Sequence, residues 1–307
     1  MSTSLRILTC ISVAIIAGLF LAYGLILDAS NLSASRALGL WSLPVTGVIG
    51  AIIASASGTG GGVVFIPIFN SLNEAGLLSL SQTNIVAASF LIQCFGMTMG
   101  SLVWLRGMYA SETVHAGIPI KTFWKALLSI LAIALPVMLF TQWYVKIDPK
   151  WVLFGFKVFS ITLGSILVFN TLQNGNTSTQ AKRTHLEKVD FTLLLLVAPI
   201  GGFANALFSV GLGEIVALYL FLRGYSIVTS TGMAVIISAF SVLSGAPYHI
   251  YMGNVPWEVV AMTAPGALLG GFLARGIALR LQAYWLKLAA GSWIALSGIG
   301  LLLMQYN

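Results

Sequence analysis

Apolar runs long enough to cross a hydrocarbon core of ~30 Å follow one another along this chain with little but short polar connections between them. The first covers about residues 5–27. One series follows near 41–58, 62–72, 83–105, 122–144 and 151–172, and another near 191–211, 214–222, 227–248, 257–279 and 284–304. The polar link QNGNTSTQAKRTHLEKVD, Gln173–Asp190, separates them. The pattern predicts helices throughout and leaves no stretch large enough for a separate water-soluble domain. The fold class is therefore an all-α polytopic membrane protein.

The two series share a rhythm. Each opens with a full apolar segment, a glycine break and a segment of only about ten residues. VIGAIIASASGTGGGVVFIPIF (Val48–Phe69) lies beside IGGFANALFSVGLGEIVALYLF (Ile200–Phe221), with Gly58 and Gly60 read opposite Gly211 and Gly213. Small, hydroxyl-bearing segments follow both, Thr83–Ser101 and Val228–Gly245. We read a duplicated unit. Residues 1–39 form an N-terminal transmembrane helix and its connection, 40–172 a first repeat, 173–190 a cytoplasmic linker and 191–307 a second repeat.

A ten-residue helix rises about 15 Å, half of the core, so a broken segment that turns back near the midplane is physically reasonable. Charge separates that option from a single crossing. With both broken segments turned back, eleven Lys and Arg fall on one side and only Arg36, Lys146 and Lys150 on the other. With single crossings the same residues divide almost evenly, and the positive-inside rule has nothing to act on. Each repeat is thus expected to be a glycine-broken re-entrant helical hairpin plus three transmembrane helices. The two repeats are then inverted, with the amino terminus and the link cytoplasmic.

Composition agrees. The chain is 58% hydrophobic and 7% charged, against roughly a quarter charged in a soluble domain. Its fifteen Lys and Arg over eight Asp and Glu report cytoplasmic loops, and nucleic acid is not an expected partner. The opening MSTSLRILTCISVAIIAGLFLAYGLIL is long for a signal-peptide core and reads as a retained helix. Cys10 and Cys94 lie in apolar segments without metal or disulfide spacing. His115, His185 and His249 are scattered, so no metal or cofactor is expected; His249 is either interfacial or a proton group on a pathway.

Paired Gly-interrupted segments in corresponding positions of two halves point to a transporter binding site. A glycine turn before a short helix, at Val63 and near Glu214, offers unpaired N–H groups backed by the positive end of a helix dipole. Ser57 and Thr59 add hydroxyls to Gly58, Gly60, Gly61 and Gly62. The alternative for these glycines is close helix crossing, which is the better reading for Gly47, Gly50, Gly270 and Gly271. GTGGG lacks a following GK[ST], so it is not a phosphate loop.

Ser89, Gln93, Asn205 and Thr231 are polar at membrane depth and either contact substrate or join helices. Lys157 either snorkels toward Lys150 or faces the cavity. No spacing brings a nucleophile and a base together, so the chain does not read as an enzyme. A carrier is the leading class, with an anion channel as the alternative. The substrate would be a small anion, with membrane lipid as the surrounding partner, and a homo-oligomer stays open.

GTGGGVVFIPIF and its echo GLGEIVALYLF, each followed by a small-residue helix and an aromatic-Gly loop (WLRG at 104–107, YHIYMG at 248–253), resemble the TauE/SafE family of sulfite and organosulfonate exporters over about residues 40–305. The resemblance implies a multi-pass transporter of the bacterial inner membrane, moving sulfite, thiosulfate or organosulfonates, with transport linked to protons. A carboxylate or another small solute is the runner-up cargo. The family's first glycine motif lands on Gly58, Gly60, Gly61, Gly62 and Pro67, and its second on Gly211 and Gly213.

The chain departs from the family where Glu214 and Ile215 replace small residues and no proline follows. Three readings stand for Glu214. It takes up a proton together with the anion, or it is a first-turn acid pointing into water or toward Arg223, or it binds a cation.

Overall fold

The structure, a computed structural model, describes residues 3–110, 117–174, 183–281 and 283–304. His115 and part of the Gln173–Asp190 link lie outside the described residues. Twelve helices account for nearly all the rest: α1 Thr3–Ser30, α2 Ala34–Gly39, α3 Leu43–Ser57, α4 Gly62–Glu74, α5 Gln82–Ala110, α6 Ile120–Tyr144, α7 Pro149–Asn174, α8 Lys188–Phe208, α9 Leu212–Leu222, α10 Ile227–Tyr251, α11 Trp257–Arg280 and α12 Ala283–Met304. Eight of them are long and apolar enough to cross a membrane. α3 and α9 are shorter apolar helices.

Most predicted segments recur within a few residues. One element is additional: α2, started by Ser33, whose hydroxyl accepts from Arg36 N–H.

In lipid, helices gain little from moving apolar side chains against one another, so close packing and hydrogen bonds hold a bundle together. Small residues do this here. On α11, a Cβ at Gly266 would strike the Pro44 carbonyl, one at Gly270 would meet Val48 and Ala51, and one at Gly271 would overlap Gly96. Gly47 packs on the backbone of Thr263 and Ala267. These contacts advance in the same direction along α3, α5 and α11. α5, the fully buried span of the eight, lies at the centre, whereas α1 turns most of its surface outward and reaches the bundle through Tyr23 Oη, which donates to the Ala261 carbonyl at 3.1 Å.

Polar groups mark the two ends. At one end Asp190, fully buried, accepts from Tyr219 Oη at 2.6 Å, Arg223 Nε at 2.6 Å, Tyr225 Oη at 2.5 Å and the Arg183 guanidinium at 3.3 Å. Glu187 joins both arginines. Burial first, and then Asp190, push the Tyr225 phenol up to about 12, so it remains a donor. At the other end Arg36 pairs with Glu258 at 2.7 Å. These clusters mark the Asp190 end and the Glu258 end of the bundle.

Candidate functional site

Two helix breaks meet in the middle of the bundle. α3 ends where Gly58 turns left-handed at φ 78°, Gly60 repeats the excursion at φ 64°, and α4 begins at Gly62. α8 ends on Ser209 at φ 57°, Gly211 sits at φ 142°, and α9 begins at Leu212. Glycine takes such angles without the steric penalty other residues meet; Ser209 takes one as a non-glycine residue.

The second break is therefore displaced from its sequence expectation. The left-handed helix ends are Gly58 and Ser209, and the positive φ before each short helix falls on Gly60 and Gly211. The alignment of Gly58 and Gly60 with Gly211 and Gly213 is two residues out of step. Gly213 lies inside the first turn of α9 and is needed for space: a Cβ there would overlap Ser238 and approach the Gly58 carbonyl. Gly62 is crowded likewise, with the Ser209 carbonyl 2.6 Å from where its Cβ would stand.

One side chain joins the breaks. Gln93, on α5 and 2% exposed, accepts from Gly61 N–H through Oε1 at 2.7 Å. Its Nε2 points at the Ser209 hydroxyl at 2.7 Å, the Ser209 carbonyl at 3.3 Å and Ser89 Oγ at 3.0 Å. Ser89 lies one turn before Gln93 on α5 and supports it.

Glu214, also 2% exposed, turns back on its own helix. Oε2 accepts from Gly211 N–H at 2.7 Å, closing the first turn of α9. Oε1 has no hydrogen-bond partner among the described residues and lies 2.5 Å from where a Cβ on Gly60 would stand. The carboxylate faces the opposite break. It is a first-turn acid, but it points neither into water nor toward Arg223, which is spent on Asp190 and Glu187.

Ser57 and Thr59 bond each other through their hydroxyls at 2.7 Å. With Glu214, Ala217, Phe221 and Lys287 they line a cavity of about 10 Å³, room for about one water. Lys287, on α12, holds its ammonium 4.7 Å from the centre of the Phe221 ring.

Of the other sequence candidates, Thr231 is brought in: its Cα backs Gly58, and its Oγ1 is unpartnered among the described residues. Asn205 is not, because Nδ2 faces Met138 Sδ on α6 at 3.1 Å and only its carbonyl serves the break, accepting from Ser209 N–H. Lys157 is 1% exposed, within electrostatic reach of Glu74 and away from the cavity.

Sequence reasoning missed Ser209, Ser238 and Lys287. Ser209 carries no glycine signature, and Lys287 is one of the eleven Lys and Arg that the charge pattern puts on one side of the membrane. Among the described residues no group of three or more His, Cys, Asp or Glu is placed to hold a metal ion.

Chemically, the first turns of α4 and α9 are sources of N–H groups without intrahelical partners. Two donors, Gly61 N–H at one break and Gly211 N–H at the other, carry side-chain oxygens, one from a neutral amide and one from a carboxyl. Such donor sets bind oxyanions.

The family model described as sulfite exporter TauE/SafE matches residues 43–301. No curated protein and no solved structure matches the chain.

Proposed function

The chain belongs to the sulfite exporter TauE/SafE family, and on that premise we propose that it is a secondary carrier of small sulfur oxyanions, with its site where the two helix breaks meet. The family is one of membrane transporters, which fits a chain that does no chemistry on its cargo. The observation that carries the reading is the Glu214 carboxyl: one oxygen rests on Gly211 N–H, and the other, unpartnered, faces Gly60 across the gap.

Each break is read as a re-entrant hairpin, and chain direction supports this. Gly201 packs on Leu212, and equally far along each helix Asp190 bonds Arg223, so α9 returns to the end from which α8 starts. α3 and α5 run in the same direction against α11, so α4 between them must bring the chain back. One hairpin starts from the Glu258 end and the other from the Asp190 end, the arrangement of inverted repeats. The excess of Lys and Arg supports a cytoplasmic Asp190 end, amino terminus and link, and the family resemblance supports a bacterial inner membrane.

The Glu214 carboxyl occupies a donor that a substrate oxygen would use. Ionised, it opposes the anion by about 3 kcal/mol at ~5 Å and an effective dielectric of ~20. Protonated, it keeps its place without repelling the substrate. Anion and proton therefore bind together, which links the anion's movement to the proton gradient. Alternating access follows as one hairpin moves against the other around the shared site.

A thermal-shift screen of the purified protein against sulfite, thiosulfate, sulfonates, carboxylates and sulfate tests the assignment. Stabilisation by sulfite or a sulfonate is expected. A response to carboxylates alone would remove the sulfur-oxyanion reading.

A further inference from the structure

Toward the Glu258 end, away from the helix breaks, three buried side chains on two helices lie around Gly245 without hydrogen-bond partners among the described residues. Gln142 on α6 and His249 and Ser241 on α10 are 7%, 3% and 0% exposed. Both amide atoms of Gln142, both ring nitrogens of His249 and the hydroxyl of Ser241, five atoms in all, are unpartnered among the described residues. Gly245 ties them together: a Cβ there would stand 3.0 Å from Gln142 Nε2 and 2.6 Å from the Phe90 ring. That ring lies 4.7 Å from the His249 ring, centre to centre. Ser241 and His249 flank Gly245 one turn on either side.

The cluster is continuous with the central site. Ala234, Ser238, Ser241, Gly245 and His249 recur at three- and four-residue spacing and share one face of α10. Ala234 backs Gly58 and Gly213 at the meeting of the breaks, and Ser238 touches Gly213. A single buried face of small and polar residues thus runs from Glu214's neighbourhood to His249. Leaving a buried donor or acceptor unmade costs more than making the bond returns, so five such atoms together belong to a place that is filled. Amide, imidazole and hydroxyl each supply a donor, and the cluster contains no carboxylate.

Resting on the anion-carrier reading above, we infer that Gln142, Ser241 and His249 form a second, transient oxyanion site: the station on the Glu258 side through which the substrate passes to or from the helix breaks. Gln142 Nε2, the Ser241 hydroxyl and a His249 N–H replace the water around the anion before it reaches Gly211 and Gly61.

The test is the ¹⁵N-imidazole spectrum of the purified protein titrated with sulfite, the His249 signal being the one that His249→Gln removes. A saturable shift of that signal is expected in the wild type. It should persist in Gly60→Leu, whose central site is blocked, and be lost in Gln142→Leu. Gln142→Glu serves where the leucine variant does not fold: it keeps the shape, replaces the donor by a carboxylate and should weaken the sulfite response about tenfold or more. An unmoved His249 signal, while sulfite still stabilises the protein thermally, would mean that ordered water alone fills the cluster. A shift that vanishes in Gly60→Leu would make His249 a distant reporter of the central site. Failure of sulfite and every other oxyanion to stabilise the protein would instead remove the carrier reading on which the station depends.

Discussion

Glu214 and Gly60 belong to different helix breaks, yet the free Oε1 of the acid stands 2.5 Å from where a Cβ on the glycine would lie. The two halves of the chain therefore meet at a carboxyl oxygen and a residue with no side chain. A proton on that oxygen changes the charge that an anion meets on reaching either break.

Glu214→Gln keeps an oxygen for the Gly211 N–H and removes the titrating group. A sulfonate, whose own charge is constant over the range, should bind the wild type more tightly as pH falls, because protonation removes the opposing charge. The affinity of the Gln variant should be flat with pH, and sulfonate movement should no longer follow an imposed proton gradient. Scintillation-proximity binding at several pH values and gradient-driven flux measure the two effects. Full gradient-driven transport by the variant would eliminate proton coupling through Glu214.

Gln93→Leu leaves the Gly61 N–H and the Ser209 hydroxyl without their shared partner in a buried place. The loss should be about 1–3 kcal/mol of stability, together with the loss of transport, since the hydrogen-bonded link between the two breaks is then gone. Chemical denaturation in detergent gives the first quantity and vesicle flux the second. Gln93→Glu should retain the acceptor for Gly61 but repel the anion.

Lys287 lines the same small cavity as Glu214, Ser57 and Thr59. On the anion-carrier reading its ammonium would draw anions toward the site. Lys287→Gln should raise KM for sulfite several-fold, to about tenfold, and leave kcat little changed. The wild-type rate should also fall more steeply with added salt than that of the variant. A change in kcat alone would make Lys287 a packing residue against Phe221.

Asp190→Ala removes the acceptor shared by Tyr219, Arg223, Tyr225 and Arg183. Stability should drop by about 3 kcal/mol, because two guanidinium groups and two phenols lose a common partner. Asp190→Asn should recover part of it. Since this network ties the start of α8 to the end of α9, both variants should also loosen the second hairpin, seen as faster hydrogen exchange over residues 212–225.

Much of this architecture was legible in the hydrophobic pattern, because in a membrane the length of an apolar run and its interruption by glycine act directly on the backbone. GTGGG announced the first break through the glycines that its positive φ angles need. The second break was placed two residues late, since Ser209 adopts a left-handed angle without being glycine, and Gly213, which looked like part of the turn, is there for contact with Ser238. Gln93 and Ser89 stood out as polar residues at membrane depth. Asn205 had the same signature and turned to Met138, because which face of a helix meets which neighbour is settled by packing across the whole bundle. Lys287 and the Gln142–His249 cluster depend on contacts between residues far apart in sequence, which no local pattern encodes.

If two breaks, one from each half of the chain, make one anion site, blocking either should abolish transport. Counterflow of labelled sulfite in proteoliposomes tests it most directly, comparing the wild type with Gly60→Leu, with Gly213→Leu, and with Gly18→Ala, whose new methyl meets open space on α1. Saturable counterflow is expected for the wild type and Gly18→Ala, and its loss in both leucine variants. Counterflow that survives a leucine at either break in a folded protein would contradict it.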